Sequence, residues 1–141
     1  MAPGFAQQRL VGTALVVGMT LYVLTVAVVL STNEGKGLAG EPIPSLDQLT
    51  IFVGFASAVI GLSLRRFLRP RDEQKEPGGR RAAWFRATIA PIAALEGGAL
   101  FATTVWLLNG KAIPPLVVAL VLIALAILLL PFRDPEEGAG S

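Results

Sequence analysis

Residues 87–108 read ATIAPIAALEGGALFATTVWLL, and that stretch decides both the fold and the functional question. It holds 22 residues and a single charge-capable side chain, Glu96. At 1.5 Å per residue, a helix of this length crosses a hydrocarbon core of about 30 Å. Three more apolar runs share the chain. Leu10–Leu30 carries no charge over 21 residues, Gln48–Leu64 none over 17, and Ala112–Leu130 has no polar side chain at all.

These runs predict an all-α polytopic membrane protein, one transmembrane domain over 1–141, with four transmembrane helices in two hairpins. The spans fall at about 10–30, 46–67, 87–108 and 112–132. Between the second and third lies a basic connector, 65–86, and a flexible tail, 133–141, closes the chain. Composition agrees. The chain is 53% hydrophobic and 16% charged, against about 45–50% and 25% for soluble domains. A soluble enzyme and a disordered protein are both excluded, and little chain is left for a domain outside the membrane.

The first run exceeds the apolar core of a signal peptide, follows a lone Arg9, and precedes no A-x-A cleavage site, so a retained helix is expected. Ser45-Leu46-Asp47-Gln48 reads as a capping box for the second helix. Pro70, Pro77, Gly78 and Gly79 are expected to break helix in the connector. Asn109-Gly110-Lys111 reads as a tight turn with Gly110 in a left-handed cap. Pro114 and Pro115 suit the first turn of the last helix.

Orientation follows from the cations. Arg9, the eight cations of 65–86 and Arg133 share one side, ten in all, while Lys36 and Lys111 lie on the other. Lys and Arg are retained on the cytoplasmic face, so both termini are placed in the cytoplasm and the chain in the cell (inner) membrane. Trp84 and Trp106 then fall at opposite interfaces of helix three, as aromatic anchors do.

Glu96 lies near the midplane. An ionised carboxylate there costs at least about 2.5–3.5 kcal/mol, and no Lys or Arg interrupts any of the four apolar runs. Glu96 therefore either carries its proton or faces a polar interior. Ser57, Thr20 and Tyr22 lie at similar depth and Thr103 about two turns on, so these four are its candidate hydrogen-bond partners. Its surroundings are small. Ala94, Gly98 and Ala102 form a stripe that admits a close helix, and Gly54, Ala58 and Gly61 do the same on helix two. Pro91 removes the hydrogen bond to the Ala87 carbonyl and should bend the helix below Glu96. The functional reading is reversible protonation at Glu96; the plainer reading is a hydrogen bond that fixes helix packing.

The basic connector is first a topology determinant. Arg65, Arg66, Arg69, Arg71, Arg80 and Arg81 also form a patch for anionic lipid headgroups or an acidic partner. Neither Cys nor His occurs, which removes disulfides, thiolate sites and the commonest general base and metal ligand. No metal or other cofactor is expected. No catalytic constellation is visible, so no enzyme activity is expected. A net charge of +2 implies no nucleic-acid partner. The expected partners are membrane lipids and other membrane subunits or further copies of the chain. Its richness in Arg, Ala and Gly suggests a bacterial source of high GC content.

The segment Gly54–Asn109 resembles the rotor-ring proteolipid, subunit c of rotary ATP synthases. In both, a small-residue helix crosses toward the cytoplasm, an Arg-bearing polar loop follows, and a helix returns with one mid-membrane carboxylate. The stretch AALEGGALF, residues 93–101, looks like the family's carboxylate region. The resemblance implies that Glu96 is the ion carrier and the chain a proton-translocating subunit. This chain has the longer polar loop, and its carboxylate is on the third of four spans.

Overall fold

The computed structural model describes residues 4–68 and 77–131, with residues 77–81 described by their backbone alone. Arg69 and Arg71, the side chains of Arg80 and Arg81, and the tail 133–141 lie outside what is described. Four helices account for most of the rest: α1 (Phe5–Thr32), α2 (Pro44–Phe67), α3 (Pro77–Asn109) and α4 (Pro115–Leu129). The chain is all-α, as its apolar runs dictate. Three helices, α1, α2 and the Ala82–Asn109 part of α3, are long and apolar enough to cross a membrane. The fourth is apolar throughout but has only 15 residues.

Two boundaries differ from those expected. α3 starts at Pro77, so 77–86 is helix and not connector. Proline fits the first turn, where its missing N–H costs nothing, and the two glycines after it are carried inside the helix. Farther along, α3 runs on through Pro91 without interruption. At α2 the capping box does not form. Pro44 opens the helix one residue before Ser45, Ile43 is the N-cap, and no side chain of the helix caps it.

α3 is the axis of the molecule. It packs against α1, α2 and α4, whereas the consecutive helices α1 and α2 do not touch. α1 runs parallel to α3: Gly12 meets Ile92 low on the helix, and Tyr22 meets Thr104 higher up. α2 and α4 run back alongside. The helices exclude one another to a depth that only glycine permits. A methyl group on Gly98 would collide with Ser57 of α2 and would sit 2.9 Å from Leu122 of α4. One on Gly54 would strike Val118 of α4. One on Gly61 would come within 3.2 Å of Leu95 and of the Pro91 carbonyl oxygen. Such approaches are what hold helices together in lipid, where apolar burial gives no net drive.

Each helix shows its packing in its burial. α1 buries Gly12, Val16, Met19, Val23, Val26 and Leu30, a stripe of alternating three- and four-residue steps. Such steps keep one narrow face toward a neighbour. Its other faces carry Leu10, Leu21, Leu24 and Val28 outward. Phe52 and Phe55 of α2 are 69% and 72% exposed, and Leu128 of α4 is 69% exposed. Apolar surface on this scale marks a membrane-facing perimeter. Trp106, expected as an interfacial anchor, is instead buried in the core with Leu122 and Ile123.

The end away from the basic connector is closed by polar groups. The last carbonyls of α3 have no partners within the helix. Leu107 and Leu108 accept hydrogen bonds from the backbone N–H groups of Leu38 (3.0 Å) and Ala39 (3.1 Å) in the α1–α2 connector. Gly37 and Gly110 allow this contact. A methyl on Gly37 would overlap the Leu108 carbonyl, and one on Gly110 would lie 2.5 Å from the Gly37 nitrogen. Gly110 has φ +72°, the left-handed cap its sequence position suggests. Beside it, the Asn109 amide pairs with the Ile43 backbone in both directions. Ile43 N–H donates to Oδ1 at 3.0 Å, and Nδ2 donates to the Ile43 carbonyl at 3.0 Å. Nδ2 also approaches Asp47 Oδ1 at 3.4 Å. Asn109, buried at the end of α3, thus holds the residue that precedes α2, although it caps none of the first N–H groups of that helix.

Two outcomes test this account. Gly98→Leu should destabilise the helical chain in detergent by about 1–3 kcal/mol through overpacking, while Gly97→Leu, one residue away and facing open space, should change it by about 0.5 kcal/mol or less. Asn109→Ala should cost about 1–3 kcal/mol by orphaning the Ile43 groups. Thermal unfolding followed by circular dichroism reads both; equal effects of the two glycine changes would refute the close-packing account.

Candidate functional site

Glu96 falls at the middle of the Ala82–Asn109 apolar segment of α3. Its direction around α3 follows from helix geometry, with about 100° between successive residues. Ile89 and Ile92 point at Gly12 of α1, their Cδ1 atoms 4.0 and 3.4 Å from where its Cβ would stand. Glu96 is seven residues after Ile89 and four after Ile92, which puts it within about 20° and 40° of them. Thr104, eight residues on, shares a 2.8 Å hydrogen bond with Tyr22 of α1. Glu96 therefore lies on the α1–α3 seam, about 6 Å above the Ile92 contact and about 12 Å below the Tyr22–Thr104 bond along the axis.

The carboxyl has no hydrogen bond or ion pair with any described residue. It is only partly buried. No buried side-chain oxygen or nitrogen among the described residues is left without a partner, so the Glu96 oxygens reach the surface of the chain. The expected partners are all engaged elsewhere or turned away. Tyr22 bonds Thr104, as above. The Thr103 hydroxyl donates to the Ala99 carbonyl at 2.7 Å, and Thr20 to the Val16 carbonyl at 2.9 Å. Ser57 packs on Gly98, which stands about 200° around α3 from Glu96. Hydroxyls in a helix satisfy themselves on the second lone pair of the carbonyl one turn back, and that local competition leaves the acid alone.

The small residues split into two sets. Gly54, Gly61 and Gly98 are consumed inside the chain by Val118, Leu95 and Ser57. Ala102 is fully buried, Ala58 packs against the core, and Ala94 is half-buried. Gly97 and Ala93 face outward, near the seam that holds Glu96. Of the basic patch, Arg65 and Arg66 end α2, with Arg66 exposed. Among the described residues no group of acidic or other ligating side chains converges to hold a metal.

The arrangement suits one kind of chemistry. A mid-span carboxylic acid to which no described residue offers a donor or acceptor is open to a partner from outside: a proton, a water or a group on another molecule. Comparison with protein-family models, curated proteins and solved structures returned no match.

Since Glu96 makes no hydrogen bond or ion pair with any described residue, Glu96→Leu should alter the stability of the isolated protein by about 0.5 kcal/mol or less. A loss of several kcal/mol on thermal unfolding in detergent would place the carboxyl in an internal network instead.

Proposed function

We propose that the chain is a small integral membrane subunit of a larger assembly, with Glu96 as its proton-handling group. The observation that carries this reading is the position of Glu96: at mid-span, open to the side of the bundle, and unmatched by any polar group among the described residues. An intramembrane acid is costly to keep unless it works. A laterally open acid meets its partner only when a second molecule or a water path comes alongside. The resemblance of Gly54–Asn109 to the ATP synthase proteolipid supports the same role, with the carboxyl as carrier. In this reading the basic end, which holds Arg9, Arg65, Arg66 and Arg86, faces the cytoplasm of a bacterial cell, and both termini lie there.

The alternative is a structural or assembly subunit, in which Glu96 only fixes helix packing. Its freedom from internal bonds moves that role to the surface between chains. There Gly97 and Ala93 beside the seam would let a partner helix approach a protonated acid. A transmembrane hydrogen bond of this kind averages about 0.6 kcal/mol.

Glu96→Gln separates the two, because it keeps the size and the hydrogen-bonding capacity and removes the exchangeable acid proton. In proteoliposomes of the native assembly carrying a pH-sensitive dye, proton flux should fall at least about tenfold, the lower end of what a positioned proton-transfer group supplies. Unchanged flux with an intact assembly would end the proton-handling reading and leave the structural one.

A further inference from the structure

Helix α2 ends in Leu64-Arg65-Arg66-Phe67, and its last turns border a surface groove of ≈ 520 Å³ lined by Val59, Leu62, Ser63, Arg65 and Arg66. Val59, Leu62, Ser63 and Arg66 are spaced three to four apart and lie on one face of the helix. The upper wall of the groove is cationic, its floor apolar. Among the described residues neither arginine has an ion-pair or hydrogen-bond partner. Below the groove the same face continues outward through Phe55, which is exposed. From Arg66 to Phe55 is 11 residues, about 16 Å, close to half of a hydrocarbon core of about 30 Å. The strip is one leaflet long, with its charge at the interface and its apolar part in the acyl region.

A second groove repeats this construction on another helix. Phe5, Ala6, Arg9, Leu10 and Thr13 line ≈ 380 Å³ at the start of α1, which lies at the same end of the bundle as the close of α2. It too sets one arginine above apolar side chains, and Leu10 is 69% exposed. A protein partner needs one shaped patch. The same motif at separate places on the perimeter, at one depth, suits a ligand that surrounds the protein.

We propose that the Arg65–Arg66 groove seats the phosphate-bearing headgroup of an anionic phospholipid, whose acyl chain lies along Leu62, Val59 and Phe55. The guanidiniums hold the phosphodiester oxygens, which arginine's planar fork matches two at a time. The Ser63 hydroxyl adds a further donor. This inference requires membrane placement and is independent of the role of Glu96, so the flux measurement on Glu96→Gln and the lipid measurement fail separately.

The full chain, extracted in mild detergent and exposed to an equimolar mixture of phosphatidylglycerol and phosphatidylcholine, is examined by native mass spectrometry. Wild type should retain phosphatidylglycerol preferentially. Arg65→Gln with Arg66→Gln should reduce that preference by about tenfold or more, with helicity unchanged by circular dichroism. Val59→Trp with Leu62→Trp fills the floor of the groove and should also release the lipid, although both arginines remain. Lys36→Gln with Lys111→Gln removes the same charge from the opposite end and should leave the preference intact. Excess inorganic phosphate should not displace the lipid from wild type. The proposal is overturned if the glutamine pair at 65 and 66 retains the wild-type preference, or if the tryptophan pair does. It is equally overturned if the lysine changes act as strongly, if phosphate alone displaces the lipid, or if an acidic protein occupies the groove in its place.

Discussion

The whole bundle depends on how closely other chain segments can reach α3. In hydrocarbon, two apolar helices gain nothing by leaving lipid for each other, so they must gain through dense contact of their own. Here that contact is made at Gly98, Gly61 and Gly54, where side chains of neighbouring helices occupy the space that a Cβ would need. Ser57 and Leu122 converge on Gly98 from two helices, so one missing methyl group joins α2, α3 and α4. α1 is joined through Gly12, which makes room for Leu130 and Ile92, and through the Tyr22–Thr104 hydrogen bond. The three-helix contact at Gly98 lies on one side of α3, and the lone acid lies about 200° around it.

Polar satisfaction explains the rest of the architecture. Near a membrane interface, unpaired backbone groups are costly, and α3 ends in a cluster of them. The α1–α2 connector is drawn across that end and donates two N–H groups to it, while Asn109 pairs with Ile43. This closure gives α1 and α2, which never meet along their lengths, a common attachment at one end. By contrast Thr20, Thr25, Thr50, Thr103 and Thr104 all donate to the carbonyl four residues back in their own helices. Each of these hydroxyl protons is spent locally, and of the five only Thr104 also meets a polar side chain of a neighbouring helix, Tyr22.

Much of this could be read from the sequence, and the limits have physical causes. Uninterrupted apolar runs are strong signals, and they correctly indicate an all-helical chain with helices able to span a membrane. The small-residue positions on α2 and α3 were legible too, but their spacing does not say whether the partner helix belongs to the same chain. Gly54 and Gly98 turned out to pack internally. The Glu96 partners were chosen by depth, and depth is only half an address: Ser57 shares its level and not its direction. The capping box failed because Pro44 starts the helix one residue before Ser45, while Asn109, more than sixty residues away in sequence, holds the Ile43 backbone ahead of it. Trp106 was assigned by its spacing from Trp84, which cannot separate a lipid-facing ring from a core one. No local pattern announces a long-range side-chain bond, and Asn109 read only as part of a turn.

The unequal lengths of the helices bear on the bilayer itself. α1 has 28 residues, about 42 Å of helix, and α4 has 15, about 22 Å. The apolar run Leu10–Leu30 within α1, about 31 Å, matches the roughly 30 Å of hydrocarbon, whereas α4 falls short of it. A short apolar helix draws the surrounding lipid thinner. The protein therefore presents the membrane with a rim of uneven height, full along α1 and low along α4. Lipids packed around it are deformed on one flank more than on the other. Covering that low flank with another protein would relieve the thinning, so the cost of mismatch falls on α4 and not evenly around the bundle.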